Sequence, residues 1–511
     1  MGTDVSGPTS SPAHLLAVYD FARARIAFDF FGFLVVAEVA RRRAGAAKLD
    51  LLLVPGDGDG FHANPNYDLA HKQWRLFNIV VQGARLLPSL GSLLLAGSRP
   101  KAREILTRHR GSVFPQGYDI HAPFARCNLG WSVMMASLGE DVQVLRASEQ
   151  ARIYIRQWLD GRAGGRKPVV LTLREASFNS QRNVDIEPWL AFAQWLTANG
   201  YFPVVLRDIE TALAGSTVFE DFEQFPAAVF NLDLRLALYE EAFLNIAVTN
   251  GPMQLAFYDR AVRLICFVTG EWRTYPDTPL ERDGIAFGEI PPFLNSWQRY
   301  AWREPRLDAL IEEFTSFVAS DEFALAPEAL RRAEPIPLLV LAQRFLKHRE
   351  WDMLEGAVAE AERCGLASDD FYRIRDEGWT SRRELERDTF DLQRAKTLQE
   401  MGRLEEAVAV LEALVRRRPD EVVPRLDLGM SLEALDRIEE AVAVYHAAVE
   451  RGSASPEMVY RLGCIAQDQG ALAEARACFE TLVDRGIVTV GLRERLARLP
   501  SEVSDASADQ T

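Results

Sequence analysis

The sequence predicts two parallel-sheet α/β domains followed by an α-helical solenoid. Three observations carry that expectation. The segment from Ala395 to Ile487 repeats with a period of 34 residues, and the part before about residue 320 alternates short apolar runs with amphipathic stretches. At 511 residues, the chain is also too long for a single core.

The repeat is found by aligning the chain on itself. Ala395, Gly429 and Gly463 recur every 34 residues, as do Ala407, Ala441 and Ala475. The larger residues Leu411, Tyr445 and Phe479 keep the same spacing, and so do Leu414, Ala448 and Leu482. Small residues are expected where the two helices of a unit cross closely, with the larger ones filling the groove beside them. Gly402, Asp436 and Gly470 fall between the helices, where a left-handed turn is expected. This pattern resembles the tetratricopeptide repeat, with Pro419 at that family's closing-proline position and Ser453 and Ile487 in its place in the other two units. A degenerate helical pair, Leu338 to Cys364, precedes the regular units, offset by about 19 extra residues. The resemblance implies an array that binds a peptide or partner protein. An array that only caps the neighbouring domain, or dimerises, fits the sequence equally.

Upstream, the candidate strands are Leu15–Tyr19, Leu49–Pro55, Ser92–Ala96 and Val142–Leu145. A second series follows, at Val169–Leu173, Pro203–Arg207, Ala227–Asn231, Asn245–Thr249 and Leu264–Thr269. They read as continuously apolar, as parallel strands covered on both faces do. Helical patterns lie between them: Phe31–Arg43, Tyr67–Leu87, Glu149–Leu159, Ile186–Ala198, Leu234–Phe243 and Met253–Arg260, then a Trp-rich helical region at Asn295–Phe317. Strand–helix alternation of this kind gives doubly wound, Rossmann-like domains. The expected boundaries are a disordered tail at 1–13, a first α/β domain at 14–160, a second at 161–320, helical repeats at 335–499 and a tail at 500–511. The seam is placed in the Gly-rich, basic stretch Gly161–Lys167.

A net charge of -15 argues against a nucleic-acid partner. Five scattered cysteines without CxxC spacing read as a reduced protein lacking disulfides or structural zinc. Met1–Pro12 has no basic region of a secretory signal; Gly2 and Ser6 fit a loose myristoylation pattern, but the tail reading is preferred. Phe28–Ala40 is too short to span a bilayer and contains Asp29 and Glu38, so a cytoplasmic protein is expected.

Two strand ends of the second series carry polar groups. One runs from Arg174 through a polar loop to Arg182 and Asn183, before a helix capped by Asp185. The other is Thr249-Asn250-Gly251-Pro252-Met253-Gln254, where a strand enters a helix through a glycine. Free amides at such a helix start, with two arginines facing them, suit a diphosphate. The bland alternatives are an ordinary Asn-Gly turn, and a surface ion pair of Arg174 with Glu175 or Glu187.

Thr249 to Ala256 resembles the Asp-Thr-Gly-x-Met-His-x-Ala signature of heptosyltransferase-like glycosyltransferases of the GT-B fold. Gly270 to Pro276 is similar to the Gly-Pro-Thr loop of the same enzymes, and Arg174 and Arg182 are similar to the phosphate-binding arginines of GT-B fucosyltransferases. The resemblance covers roughly Val169 to Pro276. It departs from the family at Gln254, where the histidine stands, and at Thr249, where the acid stands.

The resemblance implies a metal-independent transferase that moves a sugar from a nucleotide-sugar donor to a protein or glycan acceptor. The diphosphate would lie over Gly251 and no cofactor would be needed. Candidate bases are Asp29, His62 and His121, all in the first domain, because none of the seven histidines lies in the donor domain. A solvated loop residue or helix cap is the plain alternative for each. Asp57-Gly-Asp59 begins like a calcium loop but does not continue, so no metal is assigned. Joining these repeats to a GT-B part also resembles protein O-glycosyltransferases, although those place the repeats first. The rival readings are a non-catalytic scaffold and a sugar-nucleotide epimerase or hydrolase.

Overall fold

The run Leu15–Asp20 is buried at every position and forms strand β1. In the computed structural model, which describes residues 14–64, 66–109, 111–124, 128–176, 182–213, 218–269 and 279–499, it is joined by β2 (Leu49–Val54), β3 (Leu90–Leu95) and β4 (Val113–Phe114). The sheet is parallel with order β3-β2-β1-β4, so the winding reverses between β1 and β4. The tails expected at 1–13 and 500–511 lie outside the described residues.

A second parallel sheet holds β5 (Lys167–Thr172), β6 (Tyr201–Leu206), β7 (Glu223–Gln224), β8 (Leu244–Val248), β9 (Leu264–Phe267) and β10 (Gln298–Ala301). Its order is β10-β9-β8-β5-β6-β7. Counted from β5, this is the 3-2-1-4-5-6 order of doubly wound sheets, with its reversal between β5 and β8.

The helices used below are α1 (Asp29–Arg43), α2 (Leu69–Arg75), α3 (Arg99–Arg108), α4 (Leu129–Ser137), α5 (Glu149–Ala163), α6 (Ile186–Ala198), α7 (Ala227–Phe230), α8 (Leu232–Glu241), α9 (Met253–Phe257), α10 (Pro279–Arg282) and α11 (Leu307–Val318). α1 is apolar nearly all round and is buried from Phe30 to Val39, which fits a helix packed on several sides. It lies against β1 and β2 of its own sheet, and against α4 and α9. Within the helix, the buried Glu38 is held by Arg41 at 2.8 Å and by the Ser89 hydroxyl at 2.5 Å. α5 packs against α8, where Arg152 and Arg156 both pair with Glu241 at 2.9 Å.

Four local expectations are corrected. Val142–Leu145 is extended but joins no sheet: the Leu145 and Arg146 amides donate to Tyr258 and Leu86, in two different segments. Ala227–Asn231 is the short helix α7, because Asn231 caps the helix that follows and its carboxamide accepts from Leu234. In Asn295–Phe317 the edge strand β10 precedes the helix α11. The helix expected at Met253–Arg260 stops at Phe257. A four-residue apolar run reads alike as strand or helix until its neighbours are known.

The degenerate pair is α12 (Leu338–Lys347) and α13 (Trp351–Cys364), with Ala342, Phe345 and Ala361 fully buried. It belongs to the core of the α/β unit. Gly356 lets the pair approach so closely that a side chain there would overlap the Trp131 ring of α4. α14 (Asp369–Glu400) fills the extra spacing as one long helix.

The chain divides into two compact units at residue 378. The second unit holds the end of α14 and the helices α15 (Leu404–Arg417), α16 (Val422–Ala434), α17 (Ile438–Glu450), α18 (Pro456–Asp468), α19 (Leu472–Asp484) and α20 (Val490–Ala497). The 34-residue pattern is realised in contacts. A Cβ on Gly429 would lie 2.2 Å from the Tyr445 ring, and one on Gly463 would lie 2.5 Å from the Phe479 ring. The turn residues Gly402, Asp436 and Gly470 are left-handed, with φ of 71°, 60° and 79°. Ala407, Ala441 and Ala475 are fully buried.

Two substitutions test this packing. In Gly429→Ala, better helix propensity contributes about 1 kcal/mol. The Tyr445 ring cannot yield, because Glu433 holds its hydroxyl at 2.6 Å, so overpacking of about 1–3 kcal/mol prevails. Ala441→Glu buries an unpaired charge and costs more, about 3–5 kcal/mol. Circular dichroism melts should show both losses in the repeat helices; an unchanged melt for Ala441→Glu would refute the register.

Candidate functional site

The carboxyl ends of β5 and β8 flank the point where the second sheet reverses its winding, which is where open α/β sheets leave a crevice. The chain leaves β5 through Leu173 and Arg174, and the Arg174 carbonyl accepts the Val184 amide at 3.0 Å to close the loop. Residues 177–181 of that loop lie outside the described residues. Arg182 returns toward β8 and donates from Nη2 to the Thr249 carbonyl at 3.3 Å. Asn183 braces the loop through Nδ2 on the Ala176 carbonyl at 2.9 Å. The two strand ends singled out in the sequence are therefore tied together.

Three buried polar atoms around this junction find no hydrogen-bond partner among the described residues: Thr249 Oγ1, Gln254 Oε1 and Asn183 Oδ1. Folded proteins pair most buried polar atoms, so these three have hydrogen-bonding capacity left for a ligand or water. Arg174 stands beside Asp208 at the end of β6. Burial raises the Asp208 carboxyl, while the Glu175 amide and the guanidinia of Arg235 and Arg174 act against that rise. Glu175 itself is held in a bidentate pair with Arg207, at 2.8 and 2.5 Å. Its charge is therefore already matched by Arg207.

The glycine turn differs from expectation. α9 has five residues, and its first amides are already bonded. Met253 donates to Asn250, Gln254 to the Gly251 carbonyl at 3.1 Å, and Leu255 to the Pro252 carbonyl at 3.1 Å. These three amides supply no open anion cradle, because the tight turn satisfies them locally. Gly251 meets another requirement: a Cβ there would lie 2.7 Å from the Phe28 ring. Phe28 precedes α1, so the two α/β halves touch at this glycine.

Seating Phe28 on Gly251 puts its neighbour Asp29, the first residue of α1, at the same junction. Burial raises the Asp29 carboxyl, and the guanidinia of Arg25 and Arg75 pull it back down. Arg75 is itself fixed, donating from Nε to the Ile26 carbonyl at 2.7 Å and lying over the Tyr67 ring. Tyr258, whose hydroxyl is hydrogen-bonded to Ser132 at 2.6 Å, and Asp283 both lie within electrostatic reach of Asp29. Sequence reasoning missed Tyr258, Asp283 and Tyr300, which come from three separate segments with no shared motif.

His62 and His121 follow β2 and β4, and His121 is exposed. No hydrogen bond or ion pair among the described residues joins either imidazole to Asp29 or to the β8 turn. The loops of this edge hang on Asp20, buried at the end of β1. It takes a bidentate pair from Arg99 at 2.9 and 3.0 Å and the Tyr118 hydroxyl at 2.6 Å. Arg99 also donates to the carbonyls of Pro55 and Ile120, joining the loops after β2 and β4.

Elsewhere, a cavity of about 550 Å³ lies near the start of β1 and the end of α1, and the Arg43 beside it is paired with Glu140 and Glu360. Among the described residues, no three His, Cys, Asp or Glu side chains are grouped to hold a metal ion, and no helix is long and apolar enough to cross a membrane. The loop Gly270–Pro276 lies outside the described residues.

Residues 392–456 and 426–487 match the family model of the tetratricopeptide repeat. No curated protein matches the chain in sequence. Among solved structures, the chain is similar to a family 9 glycosyl transferase from Veillonella parvula, with a TM-score of 0.35 and 12% identity, covering 68% of this chain and 99% of that one. It is similar to the ADP-heptose lipopolysaccharide heptosyltransferase II of E. coli, with a TM-score of 0.40 and 12% identity, covering 60% of this chain and 98% of that one. A thermophilic tetratricopeptide protein of Thermus thermophilus aligns over 37% of this chain and 88% of its own, with a TM-score of 0.17 and 23% identity.

The Asp20–Arg99 pair yields a stability prediction. Arg99→Met leaves the Asp20 carboxylate buried without its cation and should cost about 3–5 kcal/mol in urea unfolding. Adding Asp20→Asn should recover part of that loss. Hydrogen exchange at residues 117–122 should quicken in the single variant; unchanged exchange would show that the pair does not hold these loops.

Proposed function

We propose that the α/β unit transfers a sugar from a nucleotide-sugar donor to an acceptor hydroxyl. The observation that carries this is the set of unpaired buried polar atoms at the β5/β8 switch point, beside a desolvated carboxylate supplied by the other half. The resemblance of Thr249–Ala256 to the glycosyltransferase signature supports the same reading. The donor diphosphate lies against Arg174, Arg182, Thr249, Asn250 and Gln254, with the Gly251–Pro252–Met253 turn and Asn183 shaping the pocket. Gly251 serves chiefly to admit Phe28.

Asp29 is the base. It takes the proton from the acceptor hydroxyl as that oxygen attacks the anomeric carbon. The bond from that carbon to the diphosphate breaks, and its electron pair leaves on the diphosphate oxygen. Negative charge grows there in the transition state, so fixed guanidinia gain more than they do in the ground state. His62 and His121 stay outside this scheme. The repeats bind the protein partner or acceptor, and the protein works in the cytoplasm without metal.

Arg174→Ala should cost about 3 kcal/mol, or about a hundredfold in rate, with Arg174→Lys recovering only part because an ammonium cannot form the bidentate fork. Calorimetry with nucleoside diphosphates should show weaker binding for Arg174→Ala and Arg182→Ala. Equal binding by wild type and both variants would place the diphosphate elsewhere. Asp29→Asn should keep donor binding and lose about 10²–10⁴ in turnover. EDTA should leave turnover unchanged. Donor hydrolysis without demand for an acceptor would instead favour a hydrolase or epimerase, and absence of any donor turnover would favour a scaffold.

A further inference from the structure

A ladder of polar contacts sets alternate helices of the second unit side by side. Gln399 of α14 donates from Nε2 to the Asp427 carbonyl of α16 at 3.2 Å and to the Ser431 hydroxyl at 2.7 Å. Glu433 of α16 takes Arg461 of α18 at 3.2 Å, and Gln467 of α18 takes Arg495 of α20 at 2.9 Å. Gln399, Glu433 and Gln467 stand 34 residues apart, and so do Asp427, Arg461 and Arg495. Each rung therefore joins equivalent positions of neighbouring repeats.

The ladder changes chemistry at Asp427. Arg461 and Arg495 reach back through their side chains, whereas Asp427 meets its rung only through its backbone carbonyl. Its carboxylate is left over. Oδ2 is buried and finds no hydrogen-bond partner among the described residues. Arg461, the cation of the next rung, is already engaged by Glu433 and, at 3.0 Å, by Glu457. Lys396 of α14 acts on Asp427 electrostatically, but it is exposed and no ion pair joins the two. A partly buried acid without a hydrogen-bonded cation is costly to keep, and a cation brought from outside relieves that cost.

The flanks of Asp427 are apolar. Val423 and Met430 stand one turn away on either side, on the same face of α16, and are 46% and 39% exposed. The face thus presents an apolar residue, an unpaired acid and a second apolar residue in line along one helix.

We propose that this face of α16 docks a basic segment of a partner protein, with one Lys or Arg on the Asp427 carboxylate and apolar residues beside it on Val423 and Met430. The proposal rests on the repeats binding a partner and adds the chemistry of that partner; it does not depend on the transfer reaction. The spacing fits an extended chain. One helical turn separates neighbouring residues of the face by about 5 Å, and an extended segment presents side chains on one side every ~6.6 Å. The matching pattern is therefore apolar-x-Lys-x-apolar.

The plain alternative is a solvated acid on an ordinary surface. Charge reversal separates the two. Two fluorescein-labelled dodecapeptides, otherwise of Ser and Gly, would carry Leu-x-Lys-x-Leu or Leu-x-Glu-x-Leu. Fluorescence polarisation with the full chain should show the lysine peptide binding about tenfold tighter, and its affinity should fall as salt is raised. Asp427→Asn should remove most of that preference, and Asp427→Lys should reverse it. Met430→Ser should weaken the lysine peptide about threefold. Equal binding of the two peptides, binding of neither, or a preference that Asp427→Lys leaves unchanged would overturn the proposal. If Asp427→Lys does not fold, the loss of preference in Asp427→Asn decides.

Panning a random dodecapeptide display library on the full chain separates this chemistry from the reading beneath it. Enriched peptides that lack Lys and Arg would overturn the basic partner and leave the array a partner-binding one. No enrichment at all would remove both. A dimer seen by light scattering in wild type and lost in Asp427→Lys would put a second copy of the chain on this face, and the peptide proposal would fall.

Discussion

The site depends on one contact, the ring of Phe28 seated on the bare backbone of Gly251. With any side chain at 251 the ring would be displaced, since a Cβ there would lie 2.7 Å from it. That contact joins the start of α1 to the turn after β8, so a helix of the first half begins beside the turn of the second. α1 is suited to the role because it is buried along most of its length and packs on both halves. Its first residue is therefore held by the core rather than by a loop. A group held this way has lost its freedom on folding, which is what a site with fixed geometry requires.

The electrostatics of the junction follow from the same burial. Desolvation raises Asp29, Asp208 and Asp283 together, and the nearby cations then sort them. Arg25 and Arg75 serve Asp29, while Arg174 and Arg235 serve Asp208. The Arg207–Glu175 pair neutralises itself at the end of β6. The acids nearest the switch point are thus each set beside a guanidinium, Glu175 with Arg207 and Asp208 with Arg174 and Arg235. Such a surface suits an anionic ligand even though the chain as a whole carries a net charge of -15. Local arrangement, not average charge, sets the potential that a bound phosphate feels.

The second unit works by a different rule. Each helix pair there cannot bury its apolar face alone, so stability comes from neighbouring pairs stacking. Small residues at Gly429 and Gly463 admit the rings of Tyr445 and Phe479, and the left-handed residues turn the chain back on itself. Asp388, on the stretch of α14 that enters this unit, takes ion pairs from both Arg417 and Arg418 at 2.9 and 2.8 Å, fixing the first pair of helices.

What the sequence by itself determined is whatever local periodicity encodes. The repeat register, its turn residues, the apolar parallel strands β1, β2, β5 and β8, and the helix Ile186–Ala198 all follow from the spacing of apolar and small residues within one element. The polar strand ends at Arg174–Arg182 and Thr249–Gln254 were legible too, because a strand that runs into polar residues and a glycine announces its own end. Tertiary structure alone decided the rest. Val142–Leu145 and Ala227–Asn231 are too short for periodicity to separate strand from helix, and their neighbours settled both. The open amides expected at Gly251 closed into a five-residue helix, and the need for glycine there came from Phe28, 223 positions earlier in the chain. Asp283, Tyr258 and Tyr300 share no motif with Asp29. Tyr258 and Asp283 bond to Ser132 and Gly130 of α4, which packs on α1, and a contact between elements distant in sequence leaves no trace in any local pattern.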